Sequence, residues 1–209
     1  MEKVLYRSLT REDYKTIKYL INKAFGFDEF LKDDAFLDSA LNIYLQECIL
    51  SSNFSKVAVK NNKVIGIILG SAKNDKNKLR KPSNYLSALA SLLKIAFAKK
   101  ENKKDLKEFS KIQNIYNEMI KDKENEFQGC IQLFIVSEES RGLGVGKALL
   151  NQLFNYMTSM KVTSLYLYTD TRCNYGFYDS QNFKRLMEKE LKFQVVPETL
   201  KIFLYGYTF

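Results

Sequence analysis

The sequence predicts an α/β fold with a mixed, mostly antiparallel central sheet and flanking helices, and three observations carry that prediction. An apolar strand-like run, Ile131 to Val136, leads through a glycine-rich turn and a helical apolar stripe to a second strand, Ser164 to Asp170. A strand-helix-strand unit of this kind makes its two strands parallel and joins them by a crossover. The other strand signals lie close together in the chain or read as antiparallel. Between residues 71 and 128, close to sixty residues carry no strand signal at all. That is too long for a structureless loop in a compact domain, so helices must fill it. The 209 residues are read as a single domain, 1–209, with a helical insertion at about 72–128 between the third and fourth strands.

The elements follow in order. Val4 to Leu9 reads as a short strand, and Thr10 offers a helix N-cap with Asp13 three residues on. Ile17, Leu20, Ile21 and Ala24 recur at helical spacing in a first helix that ends near Gly26. A second helix, about Asp33 to Ile49, carries Phe36, Leu37, Ala40, Leu41, Tyr44 and Leu45 on one face. Strands Lys56 to Lys60 and Lys63 to Gly70 are joined by Asn61-Asn62, a pair that tolerates the positive φ angles of a tight hairpin. Gly66 and Gly70 within the second of these strands indicate a bulge or a close approach by another segment.

In the insertion, Tyr85, Leu86, Leu89, Leu92, Leu93, Ala96 and Phe97 line one helical face after Pro82-Ser83. Leu106, Phe109, Ile112, Ile115, Tyr116 and Ile120 line a second, beyond a lysine-rich link from Lys99 to Lys104. The first face is expected to pack on the core; its alternative is a position on a membrane surface. After the glycine-rich turn, Leu149, Leu150, Leu153, Phe154 and Met157 form an apolar helical stripe, and Phe193 to Val196 and Leu200 to Phe209 finish the chain as strands.

The turn itself, Arg141-Gly142-Leu143-Gly144-Val145-Gly146, carries the chemistry. Three glycines in five residues let the backbone turn tightly and converge its N–H groups on one point, where the next helix adds free amides and the positive end of its dipole. Such a place binds phosphate. A Walker A loop is excluded, because Gly146-Lys147 is followed by Ala148 rather than a hydroxyl residue. A dinucleotide-binding turn is excluded as well, since Lys147 stands where its third glycine belongs and five residues separate the strand from Gly142.

What remains is Arg-x-x-Gly-x-Gly, which resembles the Gln/Arg-x-x-Gly-x-Gly/Ala pyrophosphate loop of the GNAT superfamily of N-acetyltransferases. The flanking pieces agree: CIQLFIV before it, KALLNQLFNYM after it, then SLYLYTD and NYGFYDSQNF. The last is similar to that superfamily's Phe/Leu-Tyr-Glu-x-x-Gly-Phe signature, with Tyr178 on the tyrosine. Asp179 replaces the usual Glu, Asn182 a common Gly, and Thr171 an upstream Asn.

The resemblance implies acetyl-coenzyme A as cosubstrate and an amine on a small molecule or peptide as acceptor. Gly142, Leu143, Gly144, Val145, Gly146 and Lys147 would hold the pyrophosphate, with Arg141 adding charge. The pantetheine arm would run along Phe134, Ile135 and Val136 where this strand splays from the next, and a strand amide would polarise the thioester oxygen. Tyr178 becomes the general acid for the departing thiolate, being protonated at neutral pH. Asn174 either bonds pantetheine or caps a short helix. Glu138, Glu139 and Asp170 stand near enough in sequence to serve as base, Glu138 and Asp170 being the leading pair.

Composition narrows the remaining classes. The chain has no histidine, which removes Ser-His-Asp, Cys-His and H-E-x-x-H chemistry. Cys48, Cys130 and Cys173 lack metal spacing and read as free thiols, so no metal is expected. A formal net charge of +9 suits a polyanionic coenzyme; it would also suit nucleic acid, but the lysines are scattered, and no nucleic-acid partner is expected. The N-terminal segment has no apolar run, and the longest apolar stretch, Tyr85 to Ala98, is shorter than the ~20 residues of a bilayer span. The expectation is a cytoplasmic protein without stable membrane association, a homodimer being left open. The competing functions are a coenzyme A-binding GNAT-fold regulatory module without turnover and a basic nucleic-acid-binding protein.

Overall fold

A computed structural model describes residues 3–193 and 199–209, without the side chains of residues 101, 103–105 and 107–109. The described residues form one seven-stranded sheet. Its strands are β1 (Leu5–Arg7), β2 (Phe54–Lys60), β3 (Lys63–Ala72), β4 (Gly129–Val136), β5 (Ser164–Asp170), β6 (Lys184–Lys192) and β7 (Thr199–Thr208), in the order β1-β2-β3-β4-β5-β7-β6. Only β4 and β5 run parallel, and the helix that joins them is α6 (Val145–Ser159).

The N-terminal half follows its local signals closely. The Asp13 carboxylate accepts hydrogen bonds from the Thr10 amide (2.8 Å) and hydroxyl (2.9 Å) and grips Arg7 through two contacts of 2.7 Å. Burial pushes the Asp13 carboxyl up, but Arg7 and the Thr10 bonds outweigh this and hold it below the usual carboxylate range. Helix α1 (Tyr14–Phe25) ends at Gly26, whose φ of 64° is the left-handed cap that glycine adopts most cheaply. A short helix, α2 (Phe27–Phe30), follows. Then α3 (Asp34–Leu50) starts where the Asp33 side chain accepts from the Phe36 amide at 2.9 Å. Asn61 and Asn62 both take positive φ, 51° and 57°, and close the β2–β3 hairpin.

Gly66 and Gly70 serve both expected purposes. The β2 register shifts opposite Gly66, and a Cβ on Gly70 would lie 2.6 Å from Leu153 Cδ1, so the glycines let α6 press against the sheet. A second irregularity falls in β4: Leu133 faces Leu69 while Ile131 faces Gly70, leaving Gln132 as the extra residue of a bulge.

Two apolar layers cover the sheet. Leu149, Leu150, Leu153 and Met157 of α6, with Tyr178 of α7 (Gly176–Ser180), bury one face. The other face is covered by α1, α2 and α3 together with α5 (Lys100–Ile120), from which Met119 and Ile120 reach the core.

The region between β3 and β4 departs from the expectation in two ways. Its two helices exist, α4 (Pro82–Ala96) and α5, but the lysine-rich segment Lys99 to Lys104 enters α5 instead of linking them. More consequentially, the apolar face of α4 does not pack on the core. Tyr85, Leu86, Leu89, Leu92, Leu93 and Phe97 are exposed, because Asn84, Ser87 and Ser91 turn inward to hydrogen-bond with α3. On α5 the side chains of Leu106, Ile112, Ile115 and Tyr116 pack inward as expected, while that of Phe109 lies outside the described residues.

Near the C-terminus, β6 replaces what the sequence left unassigned. Its alternate residues are only partly covered, and it pairs solely with β7 at the sheet edge. The lysines that obscure it in sequence are those that keep an exposed edge from pairing further. The strand expected at Phe193 to Val196 falls largely on residues 194–196, outside the described residues.

Candidate functional site

The parallel pair makes the site by failing to continue. β4 and β5 register only at Gly129–Leu165 and Cys130–Tyr166, and beyond Cys130 the strands diverge. The gap opens into a cavity of about 1240 Å³ that passes between the two faces of the sheet. Phe134, Ile135 and Val136 form one wall, and Leu167, Tyr168 and Asp170 of β5 the other.

At one mouth lies the glycine-rich turn. Gly142 (φ 79°) and Gly144 (φ 73°) take left-handed conformations with no atom within 4 Å of a would-be Cβ, so conformation and not crowding calls for glycine. Among the described residues no hydrogen bond takes up the amides of Gly142, Gly144, Val145, Gly146 or Lys147, and all five residues line the cavity. An anion cradle needs such a set. Leu143 differs: its amide donates to Ser140 O at 3.4 Å, and its side chain stands 45% exposed away from the cavity. Arg141 lines the mouth and pairs with Glu138 at 3.2 Å.

Tyr178 sits deeper. Its ring packs against Phe134, Phe177, Phe183 and Tyr205, 8% exposed. Burial, with Cys173 and Asp170 adding to it, pushes the phenol above its ordinary range, so it is protonated at neutral pH. No described residue bonds its hydroxyl, yet among the described residues no buried side-chain polar atom lacks a partner. The hydroxyl therefore opens into the cavity that Tyr178 lines.

The neighbouring signature positions explain themselves. Asp179 accepts from the Tyr205 hydroxyl at 2.8 Å, and Arg185 donates to that hydroxyl at 3.0 and 3.1 Å. Asn182 has φ 65°, a conformation otherwise given to glycine. Asn174 lines the cavity with an exposed side chain, and the N-cap of α7 is Tyr175, so Asn174 does not cap that helix by its side chain.

The candidate bases separate clearly. Glu138 is 81% exposed and bound to Arg141 beside the glycine-rich turn, and Glu139 is exposed next to it. Asp170 is 7% exposed and ends β5 beside Tyr178. Burial raises its carboxyl above the ordinary range, opposed by hydrogen bonds from the Arg172 amide (2.8 Å) and from Cys173. A buried carboxylate with a raised pKa facing a cleft is the usual condition of a general base.

The opposite mouth was not legible in the sequence. Tyr19 and Lys23 of α1, Tyr44 and Glu47 of α3 and Tyr116 of α5 meet there. Tyr116 stacks on Tyr168 at 4.1 Å and accepts that residue's hydroxyl through its carbonyl at 2.7 Å. The one local signal was Glu47, the sole acid in the otherwise uncharged run Ser39 to Leu50. The three cysteines also border the cavity, but burial pushes each thiol up to about 12, which leaves them protonated and unreactive.

A mixed sheet that parts at its one parallel pair, with an amide-lined turn at the mouth of the gap, defines the acetyltransferase class of fold. The model of the Acetyltransferase (GNAT) family matches residues 19–183, and the chain belongs to that family. No curated protein matches the chain in sequence. Solved structures similar to it include a ribosomal-protein-alanine N-acetyltransferase from Brucella melitensis, with TM-score 0.56, 14% identity and 98% of this chain and 99% of that one covered. An N-acetyltransferase from Staphylococcus aureus gives TM-score 0.54 at 14% identity, covering 99% and 98%. NAA60 from Arabidopsis thaliana, in complex with a bisubstrate analogue, gives 0.54 at 13%, covering 99% and 98%. At these identities the likeness is one of fold.

Proposed function

We propose that the protein is an N-acetyltransferase that uses acetyl-coenzyme A to acetylate a primary amine on a small molecule or peptide. One observation carries this reading: five unpartnered amides at one mouth of the gap and an unpartnered phenol within it face the same cavity. The cradle and the +9 charge fit a coenzyme that bears phosphates. Bound there, acetyl-coenzyme A supplies an activated thioester.

The chain's residues supply the rest. Gly142, Gly144, Val145, Gly146 and Lys147 hold the pyrophosphate through their amides, Arg141 adds charge, and the open edge of β4 at Phe134 to Val136 receives the pantetheine arm. The amine enters from the mouth lined by Tyr19, Tyr44, Glu47 and Tyr116. Its nitrogen attacks the thioester carbonyl and the carbon–sulfur bond breaks. Asp170 takes, directly or through water, the proton that the ammonium must lose before it attacks; Tyr178 gives its proton to the leaving thiolate, and the second proton, which the nitrogen sheds as the amide forms, restores the phenol.

Scanning calorimetry with acetyl-coenzyme A tests binding, and a screen of amines with detection of released thiol tests transfer. A hundredfold excess over Kd should stabilise the native state by about 2.7 kcal/mol. Absence of any shift refutes the assignment. A shift without thiol release from any amine favours a coenzyme-binding regulatory module.

A further inference from the structure

Helix α4 is amphipathic in the wrong sense for a helix of a water-soluble protein. Its buried residues are Asn84 and Ser91, and a row of polar bonds fixes that face to the protein. Asn84 Nδ2 donates to Gln46 Oε1 at 2.7 Å and to the Tyr14 hydroxyl at 2.8 Å, and Asn42 Nδ2 donates to Ser87 Oγ at 3.0 Å and Ser91 Oγ at 2.9 Å. Tyr85, Leu86, Leu89, Leu92, Leu93 and Phe97 stand outward, each about half exposed or more and Phe97 88% exposed. At 100° per residue these six fall within an arc of about 140°. Scattered exposed leucines are ordinary, whereas a continuous apolar row on one helix marks a surface that something covers.

Charge decides what covers it. From residue 76 to residue 100 there is no Asp or Glu; Lys78, Arg80 and Lys81 precede the apolar row, and Lys94, Lys99 and Lys100 end it. A second copy of this chain, seated by two-fold symmetry, would bring basic flank against basic flank whichever way the helices ran. An apolar face bordered by lysines, whose stems lie along apolar surface while their ammonium groups reach outward, matches an interface of acyl chains beneath anionic headgroups. Among the described residues no helix is long and apolar enough to cross a membrane, so the arrangement is one that lies on a bilayer.

We propose that α4 docks the protein on an anionic lipid bilayer, with its leucine row inserted and its lysines on the headgroups. This reverses the expectation of no membrane association, because the inward turn of Asn84, Ser87 and Ser91 leaves the apolar face outside. The docking does not depend on catalysis.

The test is flotation of the full chain with vesicles of equal parts phosphatidylcholine and phosphatidylglycerol, and with phosphatidylcholine alone. The protein should float with the first at low salt, bind the second weakly, and lose much of the first as salt rises. In the variant with Leu89→Glu and Leu93→Glu, both at exposed positions, the melting temperature should hold while vesicle binding falls by about tenfold or more. Absence of binding to the anionic vesicles overturns the proposal, as does equal binding by the folded variant. A dimer in light scattering that the variant dissolves, without vesicle binding, assigns the face to a second copy instead.

Discussion

Replacing Tyr178 by Phe removes one oxygen from a ring whose packing is otherwise untouched. The contacts with Phe134, Phe177, Phe183 and Tyr205 belong to the ring, and no described residue bonds the hydroxyl. Stability should therefore change by no more than about 0.5 kcal/mol. Coenzyme affinity should stay close to the parent value, because the amides of the cradle belong to the loop and not to Tyr178, whose ring stays in place. Turnover is another matter. A general acid contributes ~10²–10⁴-fold, and its strength follows its pKa. Burial raises the Tyr178 phenol above its ordinary range, making it a weaker acid toward the leaving thiolate. The expected loss in kcat therefore lies at the lower end, about 10²-fold. Steady-state release of thiol, with coenzyme affinity by calorimetry alongside, separates the two effects. A folded variant that turns over within about twofold of the parent would show that another group, or water, protonates the sulfur.

Gly144→Glu places a side chain at φ 73° and a carboxylate in the anion cradle; it should cost about 1 kcal/mol, lower Tm by about 2–4 °C and abolish the acetyl-coenzyme A shift in calorimetry. Asp170→Asn should slow turnover by ~10²–10⁴-fold, and the parent's kcat/KM should rise with pH through a pKa above the ordinary carboxylate value, a limb that the variant lacks. The same raised pKa means that the native state holds this proton more tightly than the unfolded chain. Stability should thus fall as pH rises from the ordinary value to the raised one, and Asp170→Asn should remove that slope in a Tm series. Asp13→Asn should cost about 1–3 kcal/mol at neutral pH by loosening Arg7 and Thr10. Since the folded pKa of Asp13 is depressed, its stabilisation is present above the unfolded value and is lost as pH falls through the folded one, so the two melting curves should converge in acid.

Where a residue's local neighbours decide its conformation, the sequence was legible. Asn61-Asn62, Gly26, the glycines of the turn and the apolar stripe of α6 all announce backbone conformations or buried faces within a few residues. The helix α4 shows the limit. Its periodicity identifies the apolar face, but it is Asn42 and Gln46, some forty residues away, together with the still more distant Tyr14, that determine that the polar face is the one turned inward. Strand β6 was hidden for a related reason: an edge strand buries little, and KRLMEKELK carries charges that period-two reading does not register. At the site, the glycine-rich turn and Tyr178 rest on contiguous motifs. The opposite mouth is assembled from α1, α3 and α5, so Glu47 and Tyr44 reach it through the fold and not through any pattern of their own.

The divergence of β4 and β5 also gives the sheet two edges in its interior. Strands β1 to β4 and strands β5, β7 and β6 form two half-sheets, stitched together from Gln128 to Cys130 and joined as well by the layers of helix on either side. A molecule bound along the gap would take the place of a missing rung and so couple occupancy of the site to the mechanical unity of the domain. Amide hydrogen exchange along Ile131 to Val136 and Leu167 to Asp170 would register that unity as protection that appears with the occupant and leaves with it.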